Sequence, residues 1–165
     1  AFKTEMFKKG LLIALLYDMI DIVTTDHAPH SFYEKQKPSF HSMSGAPMVQ
    51  HSLNIILEFY KQGLISLDKI AEKMCHNPAI LYGIEKRGFI REGYFADLVL
   101  VDLHENWTVS KENILYKCGW SPLEGTTFQS KVTHTIVNGN LVYDNGQFNE
   151  VHKGQALKKN KTILH

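Results

Sequence analysis

The sequence predicts an α/β segment followed by a module built from short β-strands. Two observations carry this prediction. Through the first half, apolar residues recur at helical spacing and one β-branched run interrupts them. Beyond residue 88 the apolar spacing changes from about 3.6 to about 2, and Gly or Asn turn signals separate the β-rich runs.

Composition limits the kind of protein this can be. The 165 residues are 44% hydrophobic, and 18 basic residues are balanced by 17 acidic ones. Such a chain can bury one core but has no strong overall field, so neither a nucleic-acid nor a membrane partner is predicted. The two cysteines, Cys75 and Cys118, lie outside any CxxC pattern, which favours a cytoplasmic protein without disulfides or a thiolate zinc site.

The first two elements are predicted as a helix and a buried strand. Apolar residues between positions 4 and 18 lie on one helical face opposite Lys8 and Lys9, which is typical of a helix. Residues 20–24 then form a short β-branched run that ends at the polar residues Thr25, Asp26 and His27. A strand that opens directly into a functional loop is therefore expected.

Residues 28–47 are predicted to be a long loop, because they hold three prolines and have no apolar period. A second helix is expected over residues 48–62 with a stop at Gly63, and a third over residues 67–76 with Ser66 as its N-cap. A short helical turn over residues 77–83 should follow.

The second half is predicted to end in a β-hairpin and a tail. Residues 131–137 and 141–143 are β-rich and flank Asn138-Gly139, a pair that tolerates the positive φ angles of a type I′ turn. Residues 151–165 are rich in lysine and poorly patterned, as in a flexible tail.

Chemistry is concentrated where the predicted strand meets the long loop. Asp26, His27 and His30 place one carboxylate and two imidazoles within five residues, at the strand end where α/β barrels gather their catalytic groups. An Asp at this place can bind a metal or carry a proton, and a His can bind an anion. The alternative is that the cluster is only a turn or an N-cap.

The run IDIVTTDHAPH, residues 20–30, closely resembles the last barrel strand and following loop of the dihydroorotases, which are cyclic amidohydrolases. Ser44-Gly45-Ala46-Pro47 matches a downstream loop of that family whose backbone contacts the substrate, although Gly45 could also be an ordinary loop glycine. Residues 77–83, 88–102 and 121–139 resemble the segments that lead into and close the family's small β-sandwich.

The resemblance implies a fold and a domain organisation. Residues 1–85 would be the last helix, strand and closing helices of a (β/α)₈ TIM barrel of a metal-dependent hydrolase. Residues 86–150 would belong to a composite β-sandwich, and residues 151–165 to the tail. It also implies a homodimer and an upstream part of the same protein that covers apolar faces around Leu15, Ile22 and Ile56.

The resemblance further implies a zinc-dependent reaction in de novo pyrimidine biosynthesis, the reversible conversion of dihydroorotate and N-carbamoyl-L-aspartate. One or two Zn²⁺ ions are expected, with Asp26 as both a metal ligand and the catalytic proton carrier. His30, Ser44 and Gly45 would bind the small anionic substrate through its carboxylate.

What the sequence lacks leaves alternatives open. It contains no His-x-His pair, and the family's other metal ligands would lie upstream, so the isolated chain is predicted to be inactive. A non-catalytic dihydroorotase-like subunit remains possible, as does hydantoinase, dihydropyrimidinase or allantoinase activity. The remaining histidines are expected to be surface or packing residues: His41, His51, His76, His104, His134, His152 and His165.

Overall fold

The first half of the chain is helical. The computed structural model describes residues 4–38, 41 and 43–159. Its helices are α1 (Glu5–Leu16), α2 (Phe32–Lys35), α3 (Ser52–Lys61), α4 (Leu67–Ala71) and α5 (Asn77–Leu81). A 3₁₀ turn, Val49–His51, precedes α3, and a π-helix, Glu72–His76, joins α4 to α5. The predicted helices at residues 4–18 and 48–62 are thus confirmed with slightly shorter bounds.

The predicted strand over residues 20–24 is wrong, because this segment belongs to no sheet. A strand is held by its ladder partners, and no neighbouring strand of the described residues lies alongside it. Its main-chain hydrogen bonds are instead to the helices: the Val23 N–H donates to the Lys73 carbonyl at 3.0 Å, and the Ile20 N–H donates to the Ala14 carbonyl at 3.2 Å. The segment therefore runs as irregular chain across the helices towards Asp26.

The third predicted helix is interrupted. Ser66 is its N-cap as predicted, since its hydroxyl accepts from the Lys69 N–H at 3.2 Å. After Ala71, however, the chain widens into the π-helix before α5 begins at Asn77. π-helical turns are rare and often lie at functional sites. Here the turn carries Lys73, whose contacts reach the segment before the candidate site.

A core cluster holds the helices together. Leu15 of α1 and Ile56 and Leu57 of α3 are buried with Ile65 and Ile70, and burying each such side chain contributes roughly 1.5–3 kcal/mol. Leu15 and Ile56 themselves are thus covered by this chain, while the expectation that an upstream part or another chain covers the apolar faces around them stays a prediction. Other apolar side chains are exposed on and just after α1: Met6, Leu11, Ile13, Tyr17 and Met19.

The second half contains two antiparallel sheets. One has the order β1 (Leu98–Asp102), β4 (Lys131–Val137), β5 (Asn140–Asp144) and β6 (Gln147–Phe148). The other pairs β2 (Trp107–Thr108) with β3 (Thr127–Phe128), and a 3₁₀ turn, Lys111–Asn113, follows β2. The predicted hairpin is confirmed: Asn138 and Gly139 have φ angles of 51° and 80°, as a type I′ turn requires.

Part of the predicted tail contacts the helical half. The Glu85 N–H donates to the Lys158 carbonyl at 3.0 Å, and Ile84 forms an isolated antiparallel bridge with Lys159. Residues 160–165, including His165, lie outside the described residues. Across the described ranges, no helix is both long and apolar enough to cross a membrane.

Lys73 fixes the segment that leads to the candidate site. The residue is 1% exposed, and its ammonium donates to the Ile20 carbonyl and pairs with the Asp18 carboxylate, each at 2.8 Å. Lys69 also reaches Asp18, at 2.9 Å. Hydrogen bonds from Lys73 and then Lys69 lower the pKa of Asp18 from 3.8 to about 2.

Lys73→Met should raise the pKa of Asp18 and flatten the acid dependence of stability. The pKa of Asp18 is depressed in the folded state, so its contribution is complete above pH 3.8 and is lost as the pH falls towards about 2. The free energy of unfolding is measured by urea denaturation between pH 2 and 5. Lys61→Met is the control, because the Lys61 ammonium donates to the Leu103 carbonyl instead. Parallel pH curves for the wild type and Lys73→Met would contradict the assignment.

Candidate active site

Asp26 lies at the turn between the irregular segment and the loop, with an exposed side chain. Its φ angle of 44° falls in the left-handed region, which is uncommon for residues with a side chain and is most easily reached by Asn and Asp. Among the described residues, no hydrogen bond or ion pair engages the Asp26 carboxylate. The carboxylate is therefore available to a cation, a water molecule or a substrate.

His27 is exposed, but one of its ring nitrogens is bonded to the main chain after the loop. Its Nδ1 accepts from the main-chain N–H groups of Met48 and Val49, at 3.1 and 3.3 Å. Both bonds require an unprotonated Nδ1, so the neutral ring carries its proton on Nε2. The imidazole thereby ties the start of the loop to the beginning of the next helical region.

His30 is half-buried, and its peptide groups are fixed on both sides. Its N–H donates to the Ala28 carbonyl at 2.9 Å, and its carbonyl accepts from the Trp120 indole at 2.8 Å. Directly after it, Ser31 and Glu34 form a capping box that starts α2. The bonds that Glu34 accepts from the Ser31 hydroxyl and N–H lower the pKa of the Glu34 carboxyl. A short helix thus interrupts the predicted loop.

Ser44 and Gly45 are exposed where the loop returns to its starting point. Ala46 pairs with His27 in an isolated parallel bridge, and its carbonyl accepts from the Ala28 N–H at 3.0 Å. A Cβ added to Gly45 would lie 2.5 Å from the Ala28 Cβ and 3.9 Å from the Asp26 carbonyl oxygen. The fold thus brings Gly45 beside the Asp26 main chain, although 19 positions separate them in the sequence.

Lys35 joins the middle of the loop to its returning part, a role that no sequence pattern indicates. From the end of α2, its ammonium donates to the Met43 carbonyl and, at 2.8 Å, to the Gly45 carbonyl. A lysine on a four-residue helix in a polar loop is normally interpreted as a solvated side chain. Here it sets the position of the main chain at Gly45.

Three of the other described histidines have structural surroundings, and His41, His104 and His152 are exposed. His51 is fully buried against the rings of Trp107 and Phe128, at centroid distances of 5.8 and 6.1 Å, and this burial lowers its pKa. His76 stacks on Phe89, and His134 lies 3.2 Å from the Asp144 carboxylate. Within the described part of the chain, no group of three or more His, Cys, Asp or Glu residues could hold a metal.

These features can be compared with known proteins. A profile described as the amidohydrolase family matches residues 8–142. The chain belongs to the amidohydrolase family. The matched region includes the whole loop around Asp26 and most of the β half, so the resemblance of the Asp-His-Ala-Pro-His run is part of a similarity along the chain.

Proteins named dihydroorotase are among the curated relatives. The chain is 33% identical over 142 residues to one from Pyrococcus furiosus, with 86% of this chain and 33% of the relative covered. It is 40% identical over 126 residues to one from Clostridioides difficile, with 76% and 29% covered. The chain therefore spans about a third of the length of the curated relatives it matches.

Solved structures show the same fold. The L-hydantoinase (dihydropyrimidinase) from Arthrobacter aurescens superposes with a TM-score of 0.86 at 27% identity, covering 94% of this chain and 36% of that one. The described helices and sheets thus have the arrangement of the matching part of an amidohydrolase.

Proposed function

We propose that the chain contributes the Asp26 loop to a cyclic amide hydrolase that interconverts dihydroorotate and N-carbamoyl-L-aspartate. The observation that carries the proposal is the exposed Asp26 carboxylate, which has no hydrogen-bond or ion-pair partner among the described residues. The backbone of Asp26 is in the left-handed conformation. His30 and Gly45 are fixed on the same loop. The names of the curated relatives support this substrate class.

Asp26 fits a role as one ligand of a zinc ion. Carboxylate oxygens are zinc ligands, but a catalytic zinc usually takes three protein ligands. The described residues contain no group of three or more possible ligands, so the remaining ligands are proposed to come from the upstream part of the protein. When bound, zinc would supply a nucleophile at neutral pH by lowering the pKa of water to about 7.

Asp26 is also proposed to move the proton of the reaction. In the hydrolytic direction, the oxygen of water bonds to the ring carbonyl carbon and the ring C–N bond breaks. Asp26 takes the proton released by the water and delivers it to the departing nitrogen. Asp26 is left unprotonated and ready for the next turnover, while the new carboxyl group ionises at neutral pH and releases its proton to the solvent.

The loop beyond Asp26 is proposed to bind the substrate carboxylate. His30 presents an imidazole, and Ser44 and Gly45 present main-chain groups at the return of the loop. Dihydroorotate carries a carboxylate that hydantoins without an acid group lack. Polar groups left unpaired in a closed site penalise the wrong ring, and this would give the site its selectivity.

The incomplete sheet is proposed to belong to a composite β-sandwich next to a (β/α)₈ barrel. β1 is an edge of its sheet, with β4 on one side and no described strand on the other. Val99 and Leu100 of β1 are 49% and 47% exposed. Complete proteins usually cover or charge an apolar edge strand of this kind. Further strands of the whole protein would cover it.

Hydantoinase activity is the second candidate, and the structural likeness to the Arthrobacter aurescens L-hydantoinase favours it. The two candidates differ in whether the site must bind a carboxylate. Dihydroorotate and hydantoin, assayed side by side, therefore separate them.

The decisive experiment assays the full-length product of the gene for metal content and for hydrolysis of both rings. We expect bound zinc and turnover of dihydroorotate, and loss of both on treatment with a chelator and return with added zinc. A metal-loaded protein that opens only hydantoin would favour the second candidate. A folded protein that neither binds zinc nor opens either ring would instead be a non-catalytic relative.

A further inference from the structure

One segment of the β half contacts the candidate loop. Residues 113–120, here named the clamp segment, begin at the last residue of the 3₁₀ turn after β2. The segment contacts the loop at two places, near His30 and near Gln50. The residues joined by these hydrogen bonds are 63 to 90 positions apart in the sequence. The contacts therefore exist only in the folded protein.

At the far end of the loop, the clamp segment holds Gln50 through main-chain and side-chain bonds. The Tyr116 hydroxyl accepts from the Gln50 N–H at 2.9 Å. The Gln50 side chain donates to the Asn113 carbonyl at 2.7 Å and accepts from the Leu115 N–H at 2.9 Å. These bonds fix the start of the helical region that follows the loop.

At the near end, Trp120 holds His30. The indole N–H donates to the His30 carbonyl at 2.8 Å, and the indole ring packs edge-on against Phe32 at a centroid distance of 5.9 Å. The His30 N–H is already bonded to the Ala28 carbonyl. The position of the His30 main chain therefore depends on a donor from the other half of the molecule.

We propose that Trp120 is a positioning residue that aims the His30 imidazole at the substrate carboxylate. This inference rests on the proposed function, since it assigns His30 the carboxylate. Trp120 touches neither the substrate nor the reacting atoms. Its effect is to restrict His30 to side-chain rotation about a fixed main chain, so that less freedom is lost when an anion binds.

The chain offers a matched control in its other tryptophan. The Trp107 indole also donates to a main-chain carbonyl, that of Ser130, at 2.9 Å. Trp120→Phe and Trp107→Phe each remove one indole N–H and keep an aromatic ring. Each variant therefore loses one bond from an indole to a carbonyl, and only the Trp120 bond lies on the candidate loop. The Ser130 carbonyl still accepts from the Asn54 side chain, at 2.8 Å.

The test measures steady-state kinetics and hydrogen–deuterium exchange in the full-length product of the gene. For Trp120→Phe we expect KM for dihydroorotate to rise about three- to tenfold, as for the loss of one hydrogen bond, with kcat within about twofold. Exchange should increase across residues 27–36 alone. For Trp107→Phe, KM should stay within about twofold of the wild type, and exchange across residues 27–36 should be unchanged.

Equal KM changes in the two variants, or an unchanged KM in Trp120→Phe, would overturn the proposal. A wild-type protein that does not turn over dihydroorotate would refute the proposed function instead. In that case the exchange data alone test whether Trp120 anchors the loop. Unchanged exchange at residues 27–36 in Trp120→Phe would show that the indole does not hold His30.

Discussion

Asp26→Asn is expected to lower kcat for dihydroorotate hydrolysis by about 10²- to 10⁴-fold, the usual contribution of a positioned acid–base group. The amide cannot take up and deliver the proton, and it is a weaker metal ligand than a carboxylate. Asparagine tolerates the left-handed backbone as well as aspartate does. The substitution therefore removes the charge and leaves the 44° φ angle of residue 26 unstrained.

Asp21→Asn is the control for the loss of a negative charge. Asp21 is another exposed aspartate, five positions earlier and on the same irregular segment. The measurements are kcat, KM and zinc content in the full-length product, with circular dichroism to verify the fold. Asp26 would have no catalytic role if Asp26→Asn kept more than about a tenth of the activity, or if Asp21→Asn lost as much.

Local signals in the sequence predicted the elements that depend on a few neighbouring residues. The Ser66 cap and the Asn138-Gly139 turn are confirmed because each satisfies a backbone requirement within three or four positions. The stop at Gly63 is confirmed in the same way: α3 ends at Lys61, and Gly63 adopts a φ angle of 70°.

Local sequence signals do not predict elements that depend on partners distant in the sequence. A β-branched run at residues 20–24 predicts a strand only where a ladder partner exists, and the described chain places none beside it. The widening at Glu72–His76 has no composition that distinguishes it from an α-helix. The two differences are in contact with each other, because Lys73 of the π-helix bonds to Ile20 and Val23 of the irregular segment.

The same distinction applies to the site. The motif and its resemblance selected Asp26, His30, Ser44 and Gly45 from residues close together in sequence. Their supports, Lys35 and Trp120, could not be selected in this way. The Trp120 bond to His30 joins residues 90 positions apart, and neither a lone lysine in a loop nor a lone tryptophan in a β-rich region predicts such a contact.

Gly45→Ala is expected to lower kcat/KM for dihydroorotate by about 10²-fold, because a shift of about 1 Å at a binding loop can cost that much. Gly45 has a φ angle of 81°, and an alanine Cβ would lie 2.5 Å from the Ala28 Cβ. Neither can be accepted without movement, so the loop must separate from the Asp26 turn. The bond from Lys35 to the Gly45 carbonyl would be strained in the process.

Gly63→Ala separates the cost of the backbone angle from that of the close contact. Gly63 has a φ angle of 70°, with nothing within 4 Å of its added Cβ, so alanine there should cost only about 1–2 kcal/mol for the left-handed backbone. Gly45→Ala adds an overlap worth about 1–3 kcal/mol more, unless the loop relieves it by moving. Urea denaturation and kcat/KM are measured on both variants. If the loop moves to remove the overlap, the binding site is displaced and kcat/KM falls. Gly45→Ala must therefore differ from Gly63→Ala in stability, in kcat/KM, or in both. Identical values for the two variants would mean that the contact with Ala28 does not determine the loop conformation.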